Sequence, residues 1–438
     1  METSHQQSYT LPIVTMFLLF GMISFVTNLA SPMGDILKNQ FNIPNWQGSL
    51  GVFANFIAYA VMGIPAGNLL QHHGYKRTSL IAIAVGFLGV GIQTLSGVAE
   101  HFGMYLIGAF IAGFSMCLLN TVVNPMLNKL GGGGNKGNRL IQFGGTFNSL
   151  CGTIVIIITG LLIPQGIKNA NISNVFPLMY TALIVFAFAF IVILLTKIPE
   201  NPPQNNSKFL VSDKKSPMSF AHFVLGAIAI FIYVGVEVGI PNVLNKWLQN
   251  PELNVLGSSV NAEAVAGSVA ATYWFLMLCG RLIGGILGNK VSARTMLSLA
   301  SVAAITLVMT AMFSHQDMVS FPAFNGAKGF GLEQIPLNAA SLVCTGLCTS
   351  VMWGNIFNLA VEGLGKYTEK ASGIFMALVC GGGILPLLQN ALIDKLDGIG
   401  YLPSYWVVVA GFAYIFFYAV WGSQYIKKRT QQHAEFLK

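Results

Sequence analysis

Charge is what this 438-residue chain has least of: Asp, Glu, Lys and Arg make up 9% of it, against about a quarter in a soluble domain. Hydrophobic residues make up 54%, and the mean hydropathy is +0.65. That balance excludes an ordinary soluble enzyme and a disordered scaffold. Apolar runs near 20 residues recur along the length, each long enough to cross a bilayer as a helix. The chain reads as a polytopic membrane protein, so its net charge of +8 is no argument for nucleic acid.

Nucleotide and hydrolase motifs are also missing. No P-loop, GxSxG or HExxH pattern stands in an interpretable context. The run Gly131 to Gly134 lies beside Asn135 and Lys136 with no following Lys-Ser/Thr, and reads as a flexible turn. Nothing argues for ATP hydrolysis, and the chain is not read as an enzyme. The six cysteines, Cys117, Cys151, Cys279, Cys344, Cys348 and Cys380, all fall in apolar segments. No Cys/His set completes a metal site, so they read as small buried residues. METSHQQSYT ahead of the first apolar segment carries no Lys or Arg, so that segment reads as a retained span rather than a signal peptide.

Ile198 to Pro217, IPENPPQNNSKFLVSDKKSP, is the longest polar run between the tails. Its prolines, lysines and asparagines carry no hydrophobic period, so it reads as a linker. Six apolar segments lie on each side. The expected spans are 11–31, 48–70, 78–98, 103–127, 141–164 and 175–197, then 219–243, 263–288, 295–314, 339–361, 371–392 and 403–426. The expected architecture is an all-α membrane protein of twelve helices. It consists of a six-helix bundle over 1–197, a linker over 198–217 and a second bundle over 218–438. With twelve spans, seventeen of the 23 Lys and Arg fall in loops on one side and five on the other, and Arg281 lies within a span. The positive-inside rule then puts both termini and the linker in the cytoplasm.

The halves echo each other. Gly67 to Arg77, GNLLQHHGYKR, follows the second span, and Gly284 to Arg294, GGILGNKVSAR, follows the eighth. Glycines at a helix end allow close packing, and cations in a tight cytoplasmic turn suit helix C-termini and anionic lipid. Gly67 and Arg77 are therefore structural or gating candidates, in the manner of a parallel-repeat transporter.

Ionisable groups inside a span are functional candidates by default. Glu237, in FIYVGVEVGIPN of span seven, and Arg281, in LMLCGRLIGG of span eight, stand out. Pro241 denies the Glu237 carbonyl its helical donor, and with Gly235 and Gly239 near, the helix is expected to break there. A carboxylate beside freed carbonyls suits a proton or a hard cation such as Na⁺. Arg281, among Gly280, Gly284 and Gly285, reads as a structural or gating residue. Glu263, Glu362 and Asp394 lie at span ends and reach the interface. Amides recur at helical spacing: Asn120 and Asn124 beside Pro125 in span four, Asn355 and Asn358 near Trp353 in span ten. Gln142, Thr146 and Asn148 open span five, Asn28 and Ser31 close span one, and Gln389 and Asn390 come late in span eleven. Amides offer donors and acceptors to sugar hydroxyls, and an aromatic face suits a sugar's C–H face. Any one amide reads equally well as glue between helices. The set, spread over both halves, points to a polar cavity.

NWQGSLGVFANFIAYAVMGIPAG, LNTVVNPMLNKLG, TFNSLCG, LLTKIPE, YVGVEV, GRLIGG and ASGIFMALVCGGGILP together resemble the fucose permease branch of the major facilitator superfamily, the fucose–galactose–glucose cation symporters. The resemblance covers most of the length in order. It implies twelve helices, alternating access and a sugar driven inward by a cation gradient. Three features depart from the pattern. Gln71 replaces the acidic residue of the loop signature. The proton-coupled relatives' acids near the end of span one and in span four are absent: Asn28 to Ser31 and Asn120 stand there, and Asp35 lies beyond. A long external loop, His315 to Asn338, is added.

The sequence therefore reads as a symporter for a monosaccharide or derivative: a hexose, a deoxyhexose, or an N-acetyl or acidic sugar. Glu237 is the coupling residue, and Asn28, Asn120, Asn124, Gln142, Asn148, Trp353, Asn355, Asn358 and Gln389 are the substrate candidates. No cofactor is expected beyond the coupling ion, H⁺ or Na⁺, with the missing acids tilting toward Na⁺. The expected partners are the sugar and the bilayer, with no nucleic acid, and the chain is expected to be a monomer. An exporter of drugs or sugars and a non-transporting sensor are the alternatives. An exporter would want more aromatics and fewer amides, and a sensor longer cytoplasmic segments. The topology is testable by cysteine labelling in a Cys-less background: Gln316→Cys reacts with an impermeant reagent from outside and Ser207→Cys does not. The opposite pattern would invert the orientation.

Overall fold

The computed structural model describes residues 9–40, 50–162, 172–199, 216–250, 252–257, 261–315, 317–325, 329–395 and 400–424. The expected linker lies outside the described residues except at its two ends, as do residues 425–438 and Gln316. The side chains of Ser31, Asp35 and Asp394 also lie outside them.

The chain is almost wholly helical. α1 runs over Thr10–Gln40, α2 over Leu50–Val98, α3 over Phe102–Leu130, α4 over Gly134–Leu162 and α5 over Phe176–Leu195. α6 covers Ala221–Gln249, α7 Ala262–Leu287 and α8 Ala293–Phe313. After two strands come α9 at Leu337–Ser350, α10 at Met352–Val361, α11 at Thr368–Ala377, α12 at Gly381–Lys395 and α13 at Trp406–Val420. Among the described residues, ten helical stretches are long and apolar enough to cross a membrane. One of them, Phe53–Val98, is 46 residues long and holds the second and third expected spans. α4, at 29 residues, stands where the fifth is expected. The helices thus accommodate twelve crossings.

Several local expectations change. The tight turn expected after span two falls at Gly74, where two helices of the α2 stretch meet across a kink: φ 73° and ψ 179° is a backbone conformation that side chains disfavour. Its counterpart after α7 does form a turn, closed by Ser292, whose hydroxyl accepts from the Thr295 N–H. α6 is not broken at Pro241. The helix carries this proline through to Gln249. Next to it, the Tyr405 hydroxyl donates to the Ile240 carbonyl at 3.0 Å. The breaks fall instead in span ten, at Val351 between α9 and α10, and in span eleven, at a 3₁₀ turn over Leu378–Cys380. The glycine run after α3 is an ordered turn: Gly132, Gly133 and Gly134 all have positive φ, and the Gly133 N–H bonds the Asn128 carbonyl at 2.9 Å. The added loop is a β-hairpin of β1 (Met318–Phe324) and β2 (Phe330–Pro336), paired antiparallel from Met318↔Pro336 to Phe324↔Phe330.

Two compact units emerge, Met1–Ser212 with Leu364–Ala377, and Asp213–Gly363 with Leu378–Lys438. Without a hydrophobic drive between helices in lipid, close backbone approach at small residues carries the packing. In the first unit, a methyl group on Gly152 of α4 would sit 2.6 Å from the Ser24 hydroxyl and the Asn28 amide of α1. One on Gly67 would sit 2.9 Å from the Gly373 Cα of α11. There Glu369, at the start of α11, pairs with Lys129 and accepts from the Tyr75 hydroxyl at 3.1 Å. Arg77, three residues past the Gly74 kink of α2, is exposed. In the second unit, Gly346 of α9 lies against the Tyr273 carbonyl, and Gly381 abuts the Phe231 carbonyl of α6. Gly381→Val would overpack that contact and cost about 1–3 kcal/mol, seen as a lower unfolding temperature in detergent. Gly91→Ala, which meets nothing within 4 Å, is the neutral control.

Candidate functional site

In the second unit the ionisable groups of the two spans meet. Tyr233 and Glu237 are four residues apart and share one face of α6, and Tyr273 and Arg281 stand two turns apart on α7. Arg281 Nη2 lies 3.4 Å from Glu237 Oε1, and Glu237 is 9% exposed. A carboxylate at this depth needs a partner, and the guanidinium supplies it. Arg281, expected as a structural or gating residue, is thereby part of the same site as Glu237. Tyr233 and Tyr273 are both fully buried. The Tyr273 hydroxyl is held by Thr349 Oγ1 at 2.9 Å. Trp353, just past the α9–α10 break, sets its ring 6.3 Å from that of Tyr233, tilted by 60°. Pro241 has no N–H to offer the Glu237 carbonyl.

Asn355 and Asn358 are buried on α10. Gln389 on α12 donates to Ser404 Oγ at 3.2 Å, and Gly239 leaves room for its side-chain oxygen. Asn390 donates to Asn242 at 3.3 Å and accepts from Lys246 at 3.0 Å.

The first unit holds two separate amide groups. Asn120 donates to the Tyr59 hydroxyl at 2.7 Å and to the Met116 carbonyl at 3.1 Å. Asn124 donates to the Asn120 carbonyl at 2.9 Å. Along the α1–α4 seam, Asn28 donates to the carbonyl and hydroxyl of Ser24 at 2.8 and 3.0 Å, and Asn148 donates to the Phe20 carbonyl at 2.8 Å. Gln142 is buried one turn before Thr146, whose hydroxyl bonds the Gln142 carbonyl at 3.0 Å. Asn148 is thus a strut between α1 and α4. Asn120 and Tyr59 form the more site-like pair.

Sequence reasoning missed the tyrosines and Thr349. Tyr233 was within reach, standing one helical turn before the only acid deep in a span. Tyr59 and Tyr273 had no signal beyond being polar tips in apolar runs. Among the described residues no three of His, Cys, Asp and Glu converge as a metal set. Any hard cation here would rest on Glu237 and neighbouring oxygens.

Comparison with known proteins agrees with this architecture. The model of the family described as Major Facilitator Superfamily matches residues 15–387. A protein of Brucella abortus named glucose/galactose transporter is 29% identical over 97% of both chains. The L-fucose-proton symporter of Escherichia coli is 22% identical over 97% of this chain and 95% of its own. The crystal structure of the transporter FucP in the outward conformation superposes with a TM-score of 0.79 at 20% identity, covering 95% of this chain and all of that one.

If the guanidinium is what makes the buried carboxylate tolerable, Arg281→Ala alone leaves an uncompensated charge and costs about 3–5 kcal/mol. Adding Glu237→Gln should restore much of the loss. Unfolding temperatures in detergent check this, and a double variant no more stable than Arg281→Ala would show that the pair is not the compensating contact.

Proposed function

This chain belongs to the major facilitator superfamily, and from that premise we propose that it is a secondary transporter that imports a neutral hexose or deoxyhexose by cation symport. The full-length likeness to proteins named for glucose, galactose and fucose transport carries the reading. The residues support it. Amides and aromatic side chains are the groups a sugar needs, hydroxyl partners at the ring edge and an apolar surface beneath its C–H face. The first unit offers Asn120 and Asn124 beside Tyr59. The second offers Trp353 beside Tyr233, with Asn355 and Asn358 on the helix that Trp353 opens.

Coupling is assigned to Glu237. Accumulation against a gradient needs an ion site whose occupancy is linked to the rest of the cycle. At rest the Glu237 carboxylate is neutralised by Arg281. A proton or Na⁺ arriving there competes with the guanidinium, so loading the site frees a charged arm that must find a new partner. The arm converts occupancy into a change of contacts between α6 and α7. The proposed setting is the inner membrane of a bacterium, with termini and linker in the cytoplasm.

The direct test is uptake of labelled glucose, galactose and fucose into proteoliposomes, with pH and Na⁺ gradients imposed separately. One gradient should drive accumulation of at least one of these sugars, and no uptake of any under either would end the reading. Glu237→Gln keeps the shape and removes the charge. It should abolish gradient-driven accumulation while leaving exchange between equal sugar pools largely intact. Normal concentrative uptake by this variant would place coupling elsewhere.

A further inference from the structure

The β1–β2 hairpin has two unlike faces. Side chains alternate across a strand, and the register puts Val319, Phe321, Ala323, Glu333 and Ile335 together. On that face Ala323 and Ile335 are fully buried, and Glu333, the one carboxylate of the two strands, accepts from Asn325 Nδ2 at 2.7 Å. The other face carries Met318, Pro322, Phe324, Phe330 and Leu332, all exposed. Phe330 and Leu332 are 76% and 72% exposed, and both pair with apolar residues, Phe324 and Pro322. The remaining polar pair, Ser320 and Gln334, is bonded to itself at 2.9 Å. No charged side chain stands on this face.

A small two-stranded sheet with an apolar open face is a liability in water. The location of the hairpin resolves this. It starts five residues after Phe313, the last residue of α8, and β2 runs directly into α9. Its tip is tied to the second turn of α7, where the Phe324 N–H bonds Ser268 Oγ at 2.9 Å. Phe313 is 67% exposed and packs edge-on to Trp406, 52% exposed, which opens α13. Exposed aromatics clustered at the ends of spanning helices mark the level of the membrane–water interface. The hairpin leaves the protein at that level.

We propose that the open face of this hairpin is seated in the interfacial layer of the bilayer, its partner being the lipid surface itself. Phe324, Phe330, Leu332, Pro322 and Met318 are the contact residues. Because the face bears no charge, its attachment depends on the apolar–polar boundary and not on headgroup charge. The hairpin would then hold the α8–α9 connection flat against the membrane.

Phe330→Trp and Leu332→Trp, at two exposed positions, each add an emitter without filling any packed space. Each full-length variant is reconstituted into phosphatidylethanolamine–phosphatidylglycerol vesicles, with or without phosphatidylcholine brominated near the carbonyl end of its acyl chains. The emission added over the unmodified protein should lose most of its intensity to the brominated lipid, equally at low and high salt. Added emission that ignores brominated lipid and is quenched by aqueous iodide would overturn the proposal. Added emission insensitive to lipid but varying with the protein-to-lipid ratio would overturn it in favour of a second copy covering the face.

Discussion

Within a bilayer no water satisfies a polar group, so each one inside the spans must find its partner in the protein. Much of the detail here answers that constraint. Hydroxyls fold back on their own helices, as Thr121 does on the Cys117 carbonyl and Ser301 on the Leu297 carbonyl. Asn28 and Asn120 bond backward one turn, to Ser24 and Met116. Asn148 and Ser115 reach across to the backbone of a neighbouring helix instead. The same constraint makes Glu237 informative. A lone carboxylate in apolar surroundings is held only because Arg281 comes from the adjacent helix to meet it.

Close packing makes those bonds possible. Gly152 lets α4 approach the α1 amide and hydroxyl at Asn28 and Ser24, and Gly346 lets α9 approach the Tyr273 backbone. On that same pair of helices Tyr273 meets Thr349. The small residues set the helix separation, and the separation puts polar tips within bonding distance. Gly280, next to Arg281, packs against Ser350 at the end of α9, so the helix that carries the guanidinium is positioned by its glycine neighbour.

The helical membrane class, the order of apolar segments and the two ionisable groups were legible in the sequence, because hydropathy and rarity of charge can be read along the chain without knowing its packing. The pairing of Glu237 with Arg281 was not, since 44 residues separate them and only the packing of α6 on α7 joins them. Local breaks were misplaced for a related reason. Pro241 signals a break by the rules for an isolated helix, but α6 continues through it to Gln249. The real breaks at Val351 and Leu378–Cys380 sit where span ten and span eleven turn within the second half, and no proline marks either. The hairpin was visible only as length: the alternation in MVSFPAF and FGLEQIP is short, and its lipid-like face hides the polar period that usually reveals a strand.

The amides and the charge pair differ in what they can contribute to transport. Asn120 and Asn124 are already bonded within their unit. A sugar hydroxyl arriving at such an amide exchanges one hydrogen bond for another, and a net gain of about 0.5–1.5 kcal/mol per bond is all that exchange allows. Such groups select a substrate by geometry and release it readily, which suits a carrier that must unload on the far side. They are poorly suited to carrying the linkage between ion and sugar. A buried carboxylate that must always be neutralised, by a guanidinium or by an incoming cation, changes its partner outright and involves larger energies. In the proposed function, specificity is therefore assigned to the amides and aromatics, and coupling to the charge pair between α6 and α7.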